Sequence, residues 1–518
     1  MRRWMEVPPP AVLAACFVCL SLAVSQAAFA QQPCEALKSL KLPNVTFEVA
    51  EAAAPGWEMP AQTGFVSAEA QKIPVGFCRV VGFATPTGDS HIGFEVWLPL
   101  AQAWNGKFLA VGNPGFIGSI ARGALAGNMQ QGYATAATDT GHVDERYDWA
   151  IGHPEKWADW GYRAVHETAV VTKALIKAYY GRPAQYSYWN SCHNGGNQGL
   201  NEAQRYPDDF DGIVAGDPAY YITHLQAGSL YISWAALKDG LDAPGYIPPA
   251  KYAVLTKAAL DACDGNDGLK DGIITDPPRC KFDPAATLCK GADAADCLTA
   301  PQVETARKIY AGAKYKDGKQ IFSGMAPGSE ANWNLLTEKE PFWVNYDFFK
   351  GMVFEDPDWD FRSFDVDRDT RAAEKKVGKY VDGNDPDLRP LKKAGGKLLI
   401  YQGWNGTALP SGSIVAYYDD VVKKVGGLKE TQEFARLFLN PGSDGCIGFM
   451  SGQDYNAFGA LQDWVEKGVA PDTINLVMRD GQRNVARTRP VCAYPKVSRY
   501  KGSGDPDDAA NFTCVDRK

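Results

Sequence analysis

The chain has 518 residues and a net charge of −8, with both signs of charge mixed along its length. That balance excludes a polyanion-binding surface and an extended cationic membrane patch, so no nucleic-acid partner is expected. The length suits one large domain with an insertion, or two domains.

The N-terminus reads as a secretory signal. Arg2 and Arg3 supply charge, Ala11–Val24 is apolar, and Ala28-Phe29-Ala30 fits the small-x-small cleavage rule. Residues 1–30 are therefore expected to leave, giving a periplasmic or secreted chain that starts near Gln31. The apolar run is too short for a membrane span, and no second one follows. The mature chain is thus expected to have no span; its oligomeric state is not legible. Of twelve cysteines, Cys16 and Cys19 leave with the signal. The remaining even number in an exported chain favours disulfides over metal ligands, and no CxxC pair suggests zinc.

From Gly93 onward the pattern alternates. Phe94–Leu98, Lys107–Val111 and Tyr133–Ala137 read as strands. Tyr162–Tyr180 has apolar residues at helical spacing and is stopped by Gly181. Ala184–Asn190 is a strand, Gly195–Arg205 a helix and Gly212–Ala215 a short buried strand. The alternation predicts an α/β fold with a mostly parallel sheet. It stops between about Tyr220 and Ala394, where Asp, Pro, Gly, Lys and Trp dominate and only short helices such as Pro249–Ala262 and Ala300–Tyr310 are plausible. Strands resume at Lys397–Gln402 and Glu433–Leu439, and Asp454–Gly468 reads as a helix. An insertion there forms a cap over the carboxyl edge of the sheet, where such folds bind ligands. The expected division is a signal at 1–30, sheet domain at 31–219 and 396–518, and cap at 220–395.

Ser191-Cys192-His193-Asn194-Gly195 lies between a strand and a helix, with small residues two before and two after His193. This is the spacing of a nucleophile elbow, but its centre is His instead of Ser. All six histidines precede residue 225. Chains of this type order their triad as nucleophile, acid and a late His, so no standard Ser-Asp-His triad is expected.

Three further features carry chemistry. Asp264, Asp267 and Asp271 occupy a Gly-rich turn, as a hard cation requires; the plainer reading is a solvated acidic turn. His142 follows a strand end and is a candidate to face the pocket, although a satisfied structural His is the commoner outcome. Trp333, Trp343, Phe348, Phe349, Trp359 and Phe361 either cover a cleft for a planar phenolic ligand or form the cap's own core.

Several stretches resemble the tannase and feruloyl esterase family. They are Trp104-Asn105-Gly106-Lys107-Phe108, Thr138-Asp139-Thr140-Gly141-His142, Tyr162-Arg163-Ala164-Val165-His166, Ala203–Ile213 and Gly216-Asp217-Pro218-Ala219. The resemblance runs from about Trp97 to Cys514. It implies an α/β-hydrolase fold with a large inserted lid domain. It also implies the disulfides Cys34–Cys78, Cys192–Cys446, Cys263–Cys280, Cys289–Cys297 and Cys492–Cys514. For the acidic turn it implies structural Ca2+ held by the side chains of Asp264, Asp267 and Asp271 and the carbonyls of Leu269 and Ile273.

Against the family pattern, His193, Gly406 and Gly445 stand where nucleophile, acid and late His are expected. The family's Gly-rich oxyanion turn becomes Gly112-Asn113-Pro114-Gly115-Phe116, and Pro has no N–H to donate. This favours a non-hydrolytic enzyme of lyase, isomerase or cyclase type acting on an aromatic or phenolic small molecule. His193 would be the general base, Asp444 its orienting acid and His142 a further candidate. The alternatives are a binding protein that keeps the pocket without turnover, and a residual carboxylic ester hydrolase.

Overall fold

The structure is a computed structural model describing residues 32–64, 67–144, 146–446 and 453–517. The expected signal sequence lies outside the described residues. Nine strands form the main sheet: β1 (Val45–Ala53), β2 (Phe77–Ala84), β3 (Ile92–Pro99), β4 (Lys107–Ala110), β5 (Ala134–Thr138), β6 (Tyr186–Cys192), β7 (Gly212–Gly216), β8 (Lys397–Gly403) and β9 (Ala435–Asn440). Their spatial order is β1-β2-β3-β5-β4-β6-β7-β8-β9. Pairing is parallel from β5 across to β9 and antiparallel among β1, β2, β3 and β5.

The central strands are apolar because both faces are covered. Every residue of β5 and β7 is buried, as is nearly all of β8, the expected signature of a parallel strand between helical layers. Helix α1 (Ala164–Tyr180) buries Val165, Val171, Leu175 and Tyr179 and ends at Gly181, whose φ of 71° permits the left-handed cap. Helix α2 (Asn194–Arg205) follows β6 directly. The sequence reading placed these elements within two or three residues.

Between β7 and β8 the chain contributes no strand to the main sheet. Its helix α3 (Ile222–Leu237) is buried around most of its circumference. Such a helix must itself be a core element. A separate hydrophobic cluster, including Tyr252, Leu255, Trp333 and Leu336, gives this insertion packing of its own.

Two readings need correction. The helix expected from Asp454 begins only at Ala457 as α4 (Ala457–Lys467), because the Asn456 side chain accepts the Gly459 N–H and sets its start. Asp454 and Tyr455 instead belong to a strand pairing with Thr473–Arg479. The antiparallel β1 and β2 lay upstream of the alternating pattern and were not anticipated. Five disulfides join Cys34–Cys78, Cys192–Cys446, Cys263–Cys280, Cys289–Cys297 and Cys492–Cys514.

Candidate active site

The sharp turn from β6 into α2 is centred on His193, with φ 56° and ψ −121°. A non-glycine residue there costs on the order of 1–3 kcal/mol and must be held by its surroundings. It is held by the His193 N–H donating to the Gly216 carbonyl at 3.1 Å, and by the His193 carbonyl accepting from Asn197 N and Ala219 N. Gly195 is obligatory: a Cβ there would lie 2.0 Å from Ser191 Oγ. The disulfide Cys192–Cys446 pins the turn to the loop after β9.

His193 lines a cavity of about 240 Å³ between the sheet edge and the cap. The walls are Pro114, Phe116 and Trp160 from the sheet domain, and Leu225, Phe342 and Trp343 from the cap. Of the six cap aromatics noted in the sequence, only Trp343 reaches the cavity. Trp333, Phe348 and Phe349 are fully buried, Phe361 is buried, and Trp359 stacks on Phe349. Trp333 belongs to the insertion's own cluster, and the other four pack into the main core that the cap shares with the sheet domain.

A second chamber of about 50 Å³ adjoins the first and shares His193, Leu335, Ala408 and Leu409 with it. Asp217, Gly406, Thr407, Asp444, Gly445 and Cys446 complete it. The His193 Nδ1 lies 2.7 Å from Cys446 Sγ. Nε2 faces the Asp217 carboxyl, 3.7 Å from Oδ2. The acid against His193 is therefore Asp217, not Asp444, which makes no ion pair or hydrogen bond with the ring among the described residues. Asp217 follows β7, the strand beside the elbow strand, so adjacent strand ends bring the pair together. The sequence reading placed its acid two residues before Cys446 along the tether and overlooked the neighbouring strand end, the position a parallel sheet offers first.

Burial governs the charges here. About a third of the His193 side-chain surface, 33%, is open, yet the surrounding protein pushes its pKa down to about 4. The imidazole is neutral at ordinary pH. The Asp217 carboxyl is pushed well above the usual range, first by burial and then by the nearby Asp444. Its Oδ1 is buried without a partner. Asp444 is also pushed up, chiefly by burial, while backbone bonds at Gly445 and Thr407 oppose the shift. The chamber thus sets beside each other an imidazole and a carboxyl whose charged forms are both disfavoured by burial.

His142 does not line the cavity. It is buried, its Nε2–H donates to the Phe116 carbonyl at 2.6 Å, and its ring stacks on Trp149 at 4.0 Å. It positions the wall carrying Phe116, and its catalytic reading is withdrawn. In that wall Gly112 N is committed to Ser191 Oγ, Asn113 N to Gln198 Oε1, and Pro114 has no N–H, while Gly115 N and Phe116 N make no hydrogen bond among the described residues. No serine and no histidine besides His193 lines either chamber among the described residues.

The acidic loop lies in the insertion, next to Cys263–Cys280. Asp264 accepts from the backbone N–H groups of Asp271, Gly272 and Ile273, and Asp267 accepts from Leu269 N and Thr275 Oγ1. Asp271 pairs with Arg487 and Arg489. The Asp267 carboxyl is pushed up by burial and by repulsion from Asp271 and Asp264. This hard-oxygen donor set fits a divalent cation.

Two other clusters bring potential ligands within 4.8 Å of one another: Cys192, His193, Asp217 and Cys446, and separately His166, Glu202 and Asp209. The sulfurs of the first are joined in a disulfide and are not thiolate ligands. In the second, burial pushes Glu202 well above the carboxylate range and His166 donates to Asp209. That cluster lines neither chamber.

A sheet that turns parallel beyond its N-terminal strands, a strand–turn–helix elbow and an inserted cap define an α/β-hydrolase fold. Within that class, the family described as Tannase and feruloyl esterase matches residues 78–515, and the chain belongs to it. An uncharacterized esterase of Xanthomonas campestris pv. campestris is 35% identical, with 94% of this chain and 92% of that protein covered. The probable feruloyl esterase B-1 of Aspergillus flavus is 34% identical, covering 86% and 87%. The crystal structure of feruloyl esterase B from Aspergillus oryzae superposes with a TM-score of 0.86 at 29% identity, covering 93% of this chain and all of that one.

Proposed function

We propose that this family member is a non-hydrolytic enzyme in which neutral His193 acts as general base on an aromatic or phenolic small molecule. The observation that carries the reading is His193 at the elbow, facing the cavity with no serine in the lining of either chamber among the described residues. With Nδ1–H directed at the Cys446 sulfur, the Nε2 lone pair is left free to take a proton. Protonated Asp217 beside it is suited to donate one. Proton abstraction next to a carbonyl by His193 Nε2, with the Asp217 carboxyl donating to the enolate oxygen that develops and the imidazolium then returning its proton to carbon, balances with these two groups and underlies isomerase chemistry and the first step of lyase or cyclase chemistry. Ester hydrolysis would additionally need a nucleophile and a set of oxyanion donors, and Pro114 removes one candidate donor.

The test is deuterium incorporation from D2O into the α-position of neutral phenolic ketones, followed by NMR. Wild type is expected to exchange faster than buffer, and His193→Ala to lose the excess while still binding ligand. Binding without exchange by wild type would contradict the proposal. That result would favour a binding protein, a reading supported by the 3.7 Å gap between His193 and Asp217, which is too long for a hydrogen bond.

For the acidic loop, structural Ca2+ is the corresponding proposal. Asp264, Asp267 and Asp271 would hold it with the Leu269 and Ile273 carbonyls, which accept no hydrogen bond among the described residues. A cation there would offset the repulsion felt at Asp267. The five disulfides support export to an oxidising compartment, periplasmic or extracellular. No described helix is long and apolar enough to cross a membrane.

A further inference from the structure

Away from the elbow, α1, α2 and the loop after α2 each bring one ionisable side chain to a common point. His166 lies in the first turn of α1, Glu202 in the last turn of α2, and Asp209 in the loop that follows. One ligand atom from each lies within 4.8 Å of the other two. Glu202 is wholly buried, and neither of its carboxyl oxygens has a hydrogen-bond donor among the described residues. The group facing it is the Asp209 carboxyl, itself an acceptor. Two buried carboxyl groups so placed must share a proton or a cation.

The neighbouring cations are engaged elsewhere. Lys173 Nζ donates to the Asp208 carbonyl at 3.2 Å and meets Asp209 only at Oδ1, at 3.4 Å. Asp209 Oδ2 faces His166 Nδ1 at 2.6 Å. Arg205 bonds to Asn201 Oδ1 and the Asp382 carbonyl and stacks on Tyr162. The His166 ring is fixed by stacking on Tyr206 at 3.8 Å, and 28% of its side chain is open to solvent.

We propose that His166, Glu202 and Asp209 form a binding site for one divalent transition-metal ion, with Zn2+ as the type, which clamps the last turn of α2 to α1. A buried polar group without a partner calls for an unseen water or ion, and Glu202 presents two such atoms to an imidazole and a second carboxylate. An imidazole with two carboxylates suits Zn2+ better than Ca2+ or Mg2+, which take oxygen ligands. Bound at about 2.0–2.2 Å, such an ion holds adjacent ligand atoms roughly 3.4 Å apart. The cluster brackets that spacing, at 2.6 Å for one pair and within 4.8 Å for all three. Binding displaces to solvent the proton that otherwise lies between the carboxyl groups, and His166 ligates as neutral imidazole. The open part of the His166 ring gives the ion a route in. The site lies about 12 Å along α2 from the elbow, and it does not depend on the reaction proposed above.

The experiment is calorimetric titration of metal-stripped protein with Zn2+ at pH 7, with Ca2+ in excess throughout to occupy the acidic loop. The proteins are wild type, His166→Ala, Glu202→Gln and His193→Ala, with folding checked by circular dichroism. Wild type is expected to take up one Zn2+ with a Kd below about 1 μM. It should also release a proton, read as a dependence of the heat on the buffer's ionisation enthalpy. His166→Ala and Glu202→Gln are each expected to weaken binding by more than about a hundredfold, since even an outer-shell partner is worth about 10–100-fold. His193→Ala should bind as wild type does. No uptake by wild type overturns the proposal and leaves a shared proton as the cluster's content. A loss of less than about tenfold in either His166→Ala or Glu202→Gln overturns it too. So does a loss confined to His193→Ala, which would put the ion at the elbow. If a variant fails to fold, anomalous scattering from zinc-loaded wild-type crystals decides. A peak among His166, Glu202 and Asp209 supports the site, and a peak only elsewhere overturns it.

Discussion

An imidazole at the elbow changes both what can attack and what can carry charge. His193 is useful as a base only when neutral, so turnover should rise as pH increases through its pKa of about 4 and then level off. Asp217 is useful as an acid only when protonated, so activity should fall again where its raised pKa is crossed. Asp217→Asn should abolish that alkaline fall and lower kcat by about 10²–10⁴-fold, the usual contribution of a positioned acid; a kcat and pH profile unchanged by the substitution would remove Asp217 from the mechanism. Nor is a serine triad recoverable by filling the three family positions. A Cβ on Gly445 lies 2.6 Å from Asp217 Oδ2, so His193→Ser combined with Gly406→Asp and Gly445→His is expected to show no esterase activity in a methyl ferulate assay. At this scale the sequence disclosed His193, because its neighbours fit a turn of one kind only. It concealed Asp217, because the contact runs between adjacent strands and has no fixed spacing along the chain.

The elements differ in how far their own residues specify them. Strands β5 and β7 and helix α1 were legible because they repeat an apolar pattern over a whole element. The loop at 264–273 was legible as a donor set, but its geometry depends on Arg487 and Arg489, more than two hundred residues away. Cation binding to the folded loop alone should stabilise the protein by about 2.7 kcal/mol when free cation is a hundredfold above Kd. A chelator should therefore lower the melting temperature by several degrees, and added Ca2+ should restore it. Asp264→Ala should melt at or below the chelated temperature and should not respond to Ca2+; an identical melting curve for metal-stripped and Ca2+-loaded wild type would dispose of the site. The cap aromatics show the opposite case: composition alone could not divide those that face a ligand from those that form a core. Trp343 faces the cavity while its neighbours in sequence, Phe348 and Phe349, are wholly buried.

Across the whole molecule, several buried acids hold protons that the unfolded chain would release. Burial pushes Asp139 and Asp382 up to about 7 and Asp159 to about 6, and holds Glu202 and Asp217 well above the usual carboxylate range. Between their unfolded and folded pKa values the native state binds more protons, so stability falls as pH rises. His142 and His193, depressed to about 4, act in the opposite sense up to their unfolded value near pH 6.5 and are outnumbered. The melting temperature should thus be higher near pH 5 than near pH 8. Scanning calorimetry at matched ionic strength checks this; a melting temperature that climbs from pH 5 to pH 8 would show that these carboxyls are not held protonated.

The same proton bookkeeping separates a base from a nucleophile at the elbow, and one assay asks the question directly: steady-state hydrolysis of methyl ferulate by the pure wild-type protein at pH 7. With His193 and Pro114 both lining the cavity and no serine lining it among the described residues, release of ferulate is expected to match the buffer blank. Sustained turnover in the range of ordinary enzymes, about 1–10³ s⁻¹, would contradict the account and return the chain to ester hydrolysis.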